Sequence, residues 1–148
     1  MPTLLEQLIL RVGVLLGGVP GYTVTRSPQH LIEESRLPAI TYQLMSCVIN
    51  EDLEFNVINW VAELEFNVLL KTRSLDSEAQ LIAAYSQIHS LIFGDRHLTG
   101  GGITDNGAYI YTGGIQSIEH DDTGAQTISR LQTTWTIEFR TNEQDLTQ

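Results

Sequence analysis

Few side chains in this sequence are equipped for chemistry: four histidines, one cysteine and a scatter of carboxylates. A metal site needs ligands converging on one point, which on a strand or helix means i, i+2 or i, i+4 spacing. His30, His89, His97 and His120 have neither spacing among themselves. His89 borders an apolar helical stripe and reads as a packed ring. His120 with Asp121 and Asp122 is the densest local group, and a polar turn explains it without a metal. Cys47 stands among strand residues with no base beside it, so a packed thiol is favoured over a nucleophile. Glu63 and Glu65 share one strand face. They could act as paired acids, but a solvated or subunit-contacting face accounts for them as well. Gly100-Gly101-Gly102 invites a phosphate-loop reading. A Walker loop would need Gly-Lys-Ser/Thr leading into a helix, and a dinucleotide fingerprint needs a strand before and a helix after it; here that order is reversed. The triplet reads as a flexible loop. No metal and no cofactor are expected.

Asp122-Thr123-Gly124-Ala125 matches the aspartic-protease signature. In such enzymes a homodimer brings two aspartates together, and they share a proton because both cannot ionise at close range. The signature normally follows an apolar strand that buries the aspartate. Here Glu119, His120 and Asp121 precede it, so an Asp-rich turn between two strands is the preferred reading and a dimeric protease using Asp122 the alternative.

Charge narrows the partners. The net charge is -10 and only one of the eight basic residues is a lysine. Duplex binding draws on Lys and Arg that neutralise phosphates, and Arg11, Arg26, Arg36, Arg73, Arg96, Arg130 and Arg140 are spread along the chain. Specific nucleic-acid binding and attachment to anionic membranes are both disfavoured. The single cysteine cannot form an internal disulfide, which suits a reducing cytoplasm. The apolar stretch Leu4 to Leu16 lacks a basic flank and carries Glu6, Gln7 and Arg11, so it reads as neither signal peptide nor membrane span. At 148 residues and 42% apolar composition, residues 1–148 fit a single globular domain.

The elements that must hold these residues follow from periodicity. Thr3-Leu4-Leu5-Glu6 has the form of a capping box, in which Thr3 caps and Glu6 reaches back. Leu5, Leu8, Ile9, Val12, Leu15 and Leu16 recur at helical spacing, which predicts a helix over 4–16 that stops at Gly17-Gly18. Tyr22 to Thr25 suggests a short strand, and Pro28 and Pro38 bracket a segment with room for a helical turn. Residues 39–49 and 57–72 alternate as strands. In the second, Trp60, Ala62, Leu64, Phe66, Val68 and Leu70 take one face, while Val61, Glu63, Glu65, Asn67 and Leu69 take the other. Ser77-Glu78-Ala79-Gln80 opens a second helix with the stripe Leu81, Ala84, Tyr85, Ile88, Leu91 and Ile92, ended by Gly94. Residues 94–108 read as a long loop, of the kind that is usually functional or mobile. Residues 109–120 and 126–141 then form a strand hairpin turned by Asp121-Asp122-Thr123-Gly124, and 142–148 is a polar tail expected to fray. The fold class is α+β: a mostly antiparallel sheet with two main helices packed on one face, a Gly-rich loop and a C-terminal hairpin.

That order of elements carries a resemblance. An N-terminal helix is followed by Leu37-Pro38-Ala39-Ile40-Thr41-Tyr42 entering a strand, then Glu63-Leu64-Glu65-Phe66-Asn67-Val68. The helix Ser77–Phe93, a glycine-rich loop, Ile115 and Trp135-Thr136-Ile137-Glu138-Phe139 complete it. The chain as a whole resembles the tail-terminator (tail-completion, or neck) proteins of long-tailed bacteriophages. The resemblance implies a non-enzymatic virion protein, assembled in the host cytoplasm. Such proteins form a ring, typically of six subunits, on the head-proximal end of the tail tube. The ring ends tube polymerisation and offers a surface for head joining. The implied partners are further copies of the chain, the tail tube protein and a head-completion or connector protein. DNA passes through the lumen without specific binding, and no membrane is involved. A different head–tail connector subunit is the neighbouring alternative. A closed ring needs two unlike complementary patches per subunit. The candidates are Val61 and Leu69 on the outer strand face, and Arg96, His97, Leu98, Ile103, Tyr109 and Tyr111 in and beside the Gly-rich loop.

Overall fold

A computed structural model describes residues 3–26, 37–49, 57–71, 77–100, 107–121 and 128–142. Helix α1 spans Leu4–Leu16. Strands β1 (Thr23–Arg26), β2 (Ala39–Ile49) and β3 (Val57–Lys71) follow, then helix α2 (Ser77–Phe93), and finally β4 (Tyr109–Asp121) and β5 (Ile128–Asn142). The fold is α+β, as periodicity predicts. The expected helical turn between Pro28 and Pro38, the turn around Asp122 to Gly124 and the polar tail after Asn142 lie outside the described residues, as does Ile103.

Helix α1 starts where Thr3 accepts a hydrogen bond from the Glu6 backbone N–H at 3.1 Å. Only half of the expected capping box forms. The Glu6 carboxylate turns instead to Arg26 on β1, which donates through both Nη atoms. An ion pair satisfies the carboxylate and pins the helix to the sheet, a stronger attraction than a single neutral N–H offers. The helix buries Leu4, Leu8, Ile9, Val12 and Leu16.

The five strands form one sheet in the order β1-β2-β3-β5-β4. β1 is parallel to β2, and every other pairing is antiparallel. The 15-residue strands β3 and β5 lie at the centre. Period-two alternation puts Ala62, Leu64, Phe66, Val68 and Leu70 on the same face as Leu131, Trp135, Ile137 and Phe139, and all of them are buried. Both helices pack on this inner face. Phe66 and Trp135 stack across the strand pair with centroids 5.7 Å apart. The outer face carries Glu63, Glu65, Asn67, Gln132, Thr134, Thr136 and Glu138, and among the described residues no helix lies over it.

Two irregularities shape the edges. β2 carries a bulge at Met45, between the pairs Leu44 with Leu64 and Ser46 with Glu63. β4 is bulged twice, around Gly113-Gly114 and at Gln116. Gly114 takes φ +86° there, a conformation that side chains with a Cβ rarely adopt.

The first part of the Gly-rich segment is anchored rather than loose. Asp95 binds Arg11 Nε at 2.8 Å and accepts from the backbone N–H groups of Thr99 and Gly100. Gly100 sits so close to Arg11 that a Cβ there would lie 2.1 Å from its Nη2. Leu98 adopts φ 53° and is fully buried. Its left-handed backbone costs about 1 kcal/mol or more, and burying a leucine side chain offsets that with roughly 2 kcal/mol.

Candidate interaction surface at the sheet edges

After α2 ends at Phe93, the chain turns and settles against the free side of β4. The Arg96 carbonyl accepts from the Ile110 N–H at 2.9 Å. This places the Arg96 guanidinium between two rings, 4.5 Å from the centroids of both Phe93 and Tyr109. Arg96 also donates to the Tyr109 hydroxyl. Such stacking holds a cation by its attraction to ring faces and leaves its charge uncancelled. Among the described residues Arg96 has no carboxylate partner, and its Nε is buried without a hydrogen bond.

The neighbouring rings extend this site. His97 Nδ1 lies 3.0 Å from the Ala108 carbonyl. A carbonyl only accepts, so Nδ1 carries the proton. The His97 ring meets Tyr109 at 5.8 Å, and Tyr109 meets Tyr111 at 5.9 Å. Burial, reinforced by the nearby Glu138 charge, pushes the Tyr111 hydroxyl above its usual range. On the helix side, His89 stacks on Phe93 at 5.7 Å. Between them opens a groove of about 200 Å³ with Trp135 at its floor. Trp135 is 2% exposed, and its Nε1 has no partner among the described residues. Sites for drug-sized ligands run to roughly 300–1,000 Å³, and this groove is smaller than that.

The opposite edge is different in kind. β1 covers β2 only from Ala39 to Tyr42. Beyond that, Met45, Val48 and Ile49 are 52%, 56% and 49% exposed. Val48 pairs with Val61 on the outer face, and Ile49 with Trp60 on the inner. Cys47 points between them toward the core, where burial pushes its thiol above the ordinary range. A protonated, half-buried thiol is a poor nucleophile.

Of the residues the sequence nominates, Arg96, His97, Tyr109 and Tyr111 come together at the β4 edge. Val61 lies instead beside the β2 patch. Leu69 stands opposite Ala39 and Arg130, away from both. Val61 and Leu69 lie on the outer face as expected but are half-buried there, because cross-strand neighbours flank them on both sides. Leu98 is corrected outright: its side chain fills the core and presents nothing to a partner. Sequence reasoning passes over Phe93, Met45, Val48 and Ile49. Phe93 is an aromatic one position past the apolar stripe of α2. Cys47-Val48-Ile49 is an apolar run that breaks the strand's alternation. Both departures from period are visible in the sequence.

His120 Nδ1 lies 2.7 Å from the Ser129 hydroxyl. Asp122 and His30 lie outside the described residues. Among those described, no three His, Cys, Asp or Glu side chains gather as a metal site, and no helix is long and apolar enough to cross a membrane.

No protein-family model and no curated protein matches the chain. Its fold overlaps a chain in a solved structure described as "Virion of native gene transfer agent (GTA) particle", with a TM-score of 0.38 and 8% identity over 94% of this chain and 92% of that one.

Proposed function

We propose that this chain is a structural assembly subunit of the tail-terminator kind that its sequence resembles, acting without catalysis. In this reading copies join into a ring, typically of six, on the head-proximal end of a tail tube. The ring stops tube growth, presents a surface to a head connector and lets DNA through its lumen.

One observation carries the reading: the two edges of the single sheet expose unlike apolar patches. Patches on opposite edges cannot both be covered in a two-fold dimer, because a two-fold that joins one edge to its own copy leaves the other edge of both copies exposed. This favours head-to-tail contacts that repeat until they close. The acidic composition suits a passage through which DNA slides, since few cations are present to hold phosphates.

Native mass spectrometry over a range of protein concentrations, with negative-stain images of the same samples, tests this. The expected result is a closed ring of defined copy number at high concentration, or on tube ends supplied in the sample. A stable dimer as the end state, with proteolytic activity lost in Asp122→Asn, would replace the reading with that of a protease.

A further inference from the structure

We infer that the exposed β2 patch of one copy docks on the aromatic groove at the β4 edge of the next, with Glu63 of the first meeting Arg96 of the second. The inference rests on the assembly reading above and names the surfaces that carry it.

Strand pairing places the two patches at the same height. Val48 pairs with Val61, Val61 with Glu138, and Glu138 with Tyr109. The next row runs Ser46, Glu63, Thr136 and Tyr111. Each row begins in one patch and ends at the other. A copy moved sideways by one sheet width therefore brings its Val48 row against the neighbour's Tyr109 row. Contacts at equal height give little rise per subunit, which is the geometry of a ring rather than a climbing filament.

Charge selects the pairing. Among the described residues Arg96 has no ion-pair partner at the groove. Glu63 is exposed beside the β2 patch and has no ion-pair partner among the described residues. Two β2 patches brought together would set Glu63 against Glu63, and two grooves would set Arg96 against Arg96. Only the unlike pairing joins opposite charges.

The contact is made by side chains and not by adding one strand to another. The Met45 bulge interrupts the β2 edge. On β4, the Arg96 carbonyl already occupies the Ile110 N–H, and two bulges follow. Interruptions of this kind block edge-to-edge pairing. The exposed Ile49 side chain, on the same inner face as the groove's Trp135 floor, is of a size to enter a groove of about 200 Å³, while Val48 lies on the outer face in the row that ends at Tyr109.

Single-cysteine chains in a Cys47→Ser background give the first test. Ser46→Cys chains mixed with Tyr111→Cys chains, whose positions end the same row, should form disulfide dimers under mild oxidation, while neither chain alone should do so. Both positions are exposed. Charge reversal gives the second. Glu63→Arg alone and Arg96→Glu alone should each weaken assembly about tenfold or more, and the doubly reversed chain should recover most of that. Circular dichroism on each variant confirms folding. Rings that form without mixed cross-linking and without rescue would overturn these surfaces while leaving the assembly reading intact. Strong self-cross-linking of either single variant would overturn the unlike pairing. A wild-type chain monomeric at every concentration and on tube ends would remove the assembly reading itself.

Discussion

Asp95 shows how much one carboxylate can organise. Burial acts to raise its pKa, but the Arg11 hydrogen bond and the N–H groups of Gly100 and Thr99 outweigh it, and the carboxyl is held below its ordinary value. A depressed carboxyl stabilises the fold above its unfolded pKa, about 3.9, and that stability is lost as pH falls through the lower folded value. Glu6 behaves alike, lowered first by its hydrogen bond from Arg26. Unfolding in urea from pH 7 down to pH 2 should show stability falling below about pH 4. Asp95→Asn should lose about 1–3 kcal/mol at neutral pH and show a shallower acid slope than the parent chain. An unchanged slope would mean that Asp95 is not the anchor of the segment that follows α2.

At the scale of elements, the same segment divides into parts that do different work. Leu98 belongs to the core, while Arg96 and His97, immediately before it, belong to the surface. Leu98→Ala should cost roughly 2–5 kcal/mol of stability, read from urea midpoints. At temperatures where it stays folded, it should assemble like the parent. Assembly lost from a well-folded Leu98→Ala would put the loop back in the interface. This division explains what the sequence made legible and what it did not. Alternation in Trp60 to Leu70 and the stripe from Leu81 to Ile92 mark faces directly, because a strand or helix repeats its orientation at a fixed period. Ala39–Ile49 and Leu4–Leu16 were readable for the same reason. The position of Leu98 was not, because a segment without period carries no face. It is set by Asp95 and Arg11, 84 residues apart in sequence. The bulge at Met45 was equally hidden, since it exists only relative to a partner strand. The cluster of Arg96, His97, Tyr109 and Tyr111 could be nominated from neighbouring loop and strand positions. Phe93, Val48 and Ile49 join the site only once the sheet order is known.

The described residues form one sheet with helices over one face and unlike patches at its two edges. Each patch holds one of the chain's two tryptophans. Trp60 pairs with Ile49 and donates to the Thr141 hydroxyl at 2.8 Å, and Trp135 floors the groove beside Tyr109. An indole's emission depends on the water and charge near it, so both ends of the proposed contact carry an intrinsic optical reporter. Assembly should alter the fluorescence of Trp60→Phe, which retains Trp135, and also that of Trp135→Phe, which retains Trp60. With the same midpoint in both, the two edges would be closing in one step, and docking could be followed in real time without attaching a dye.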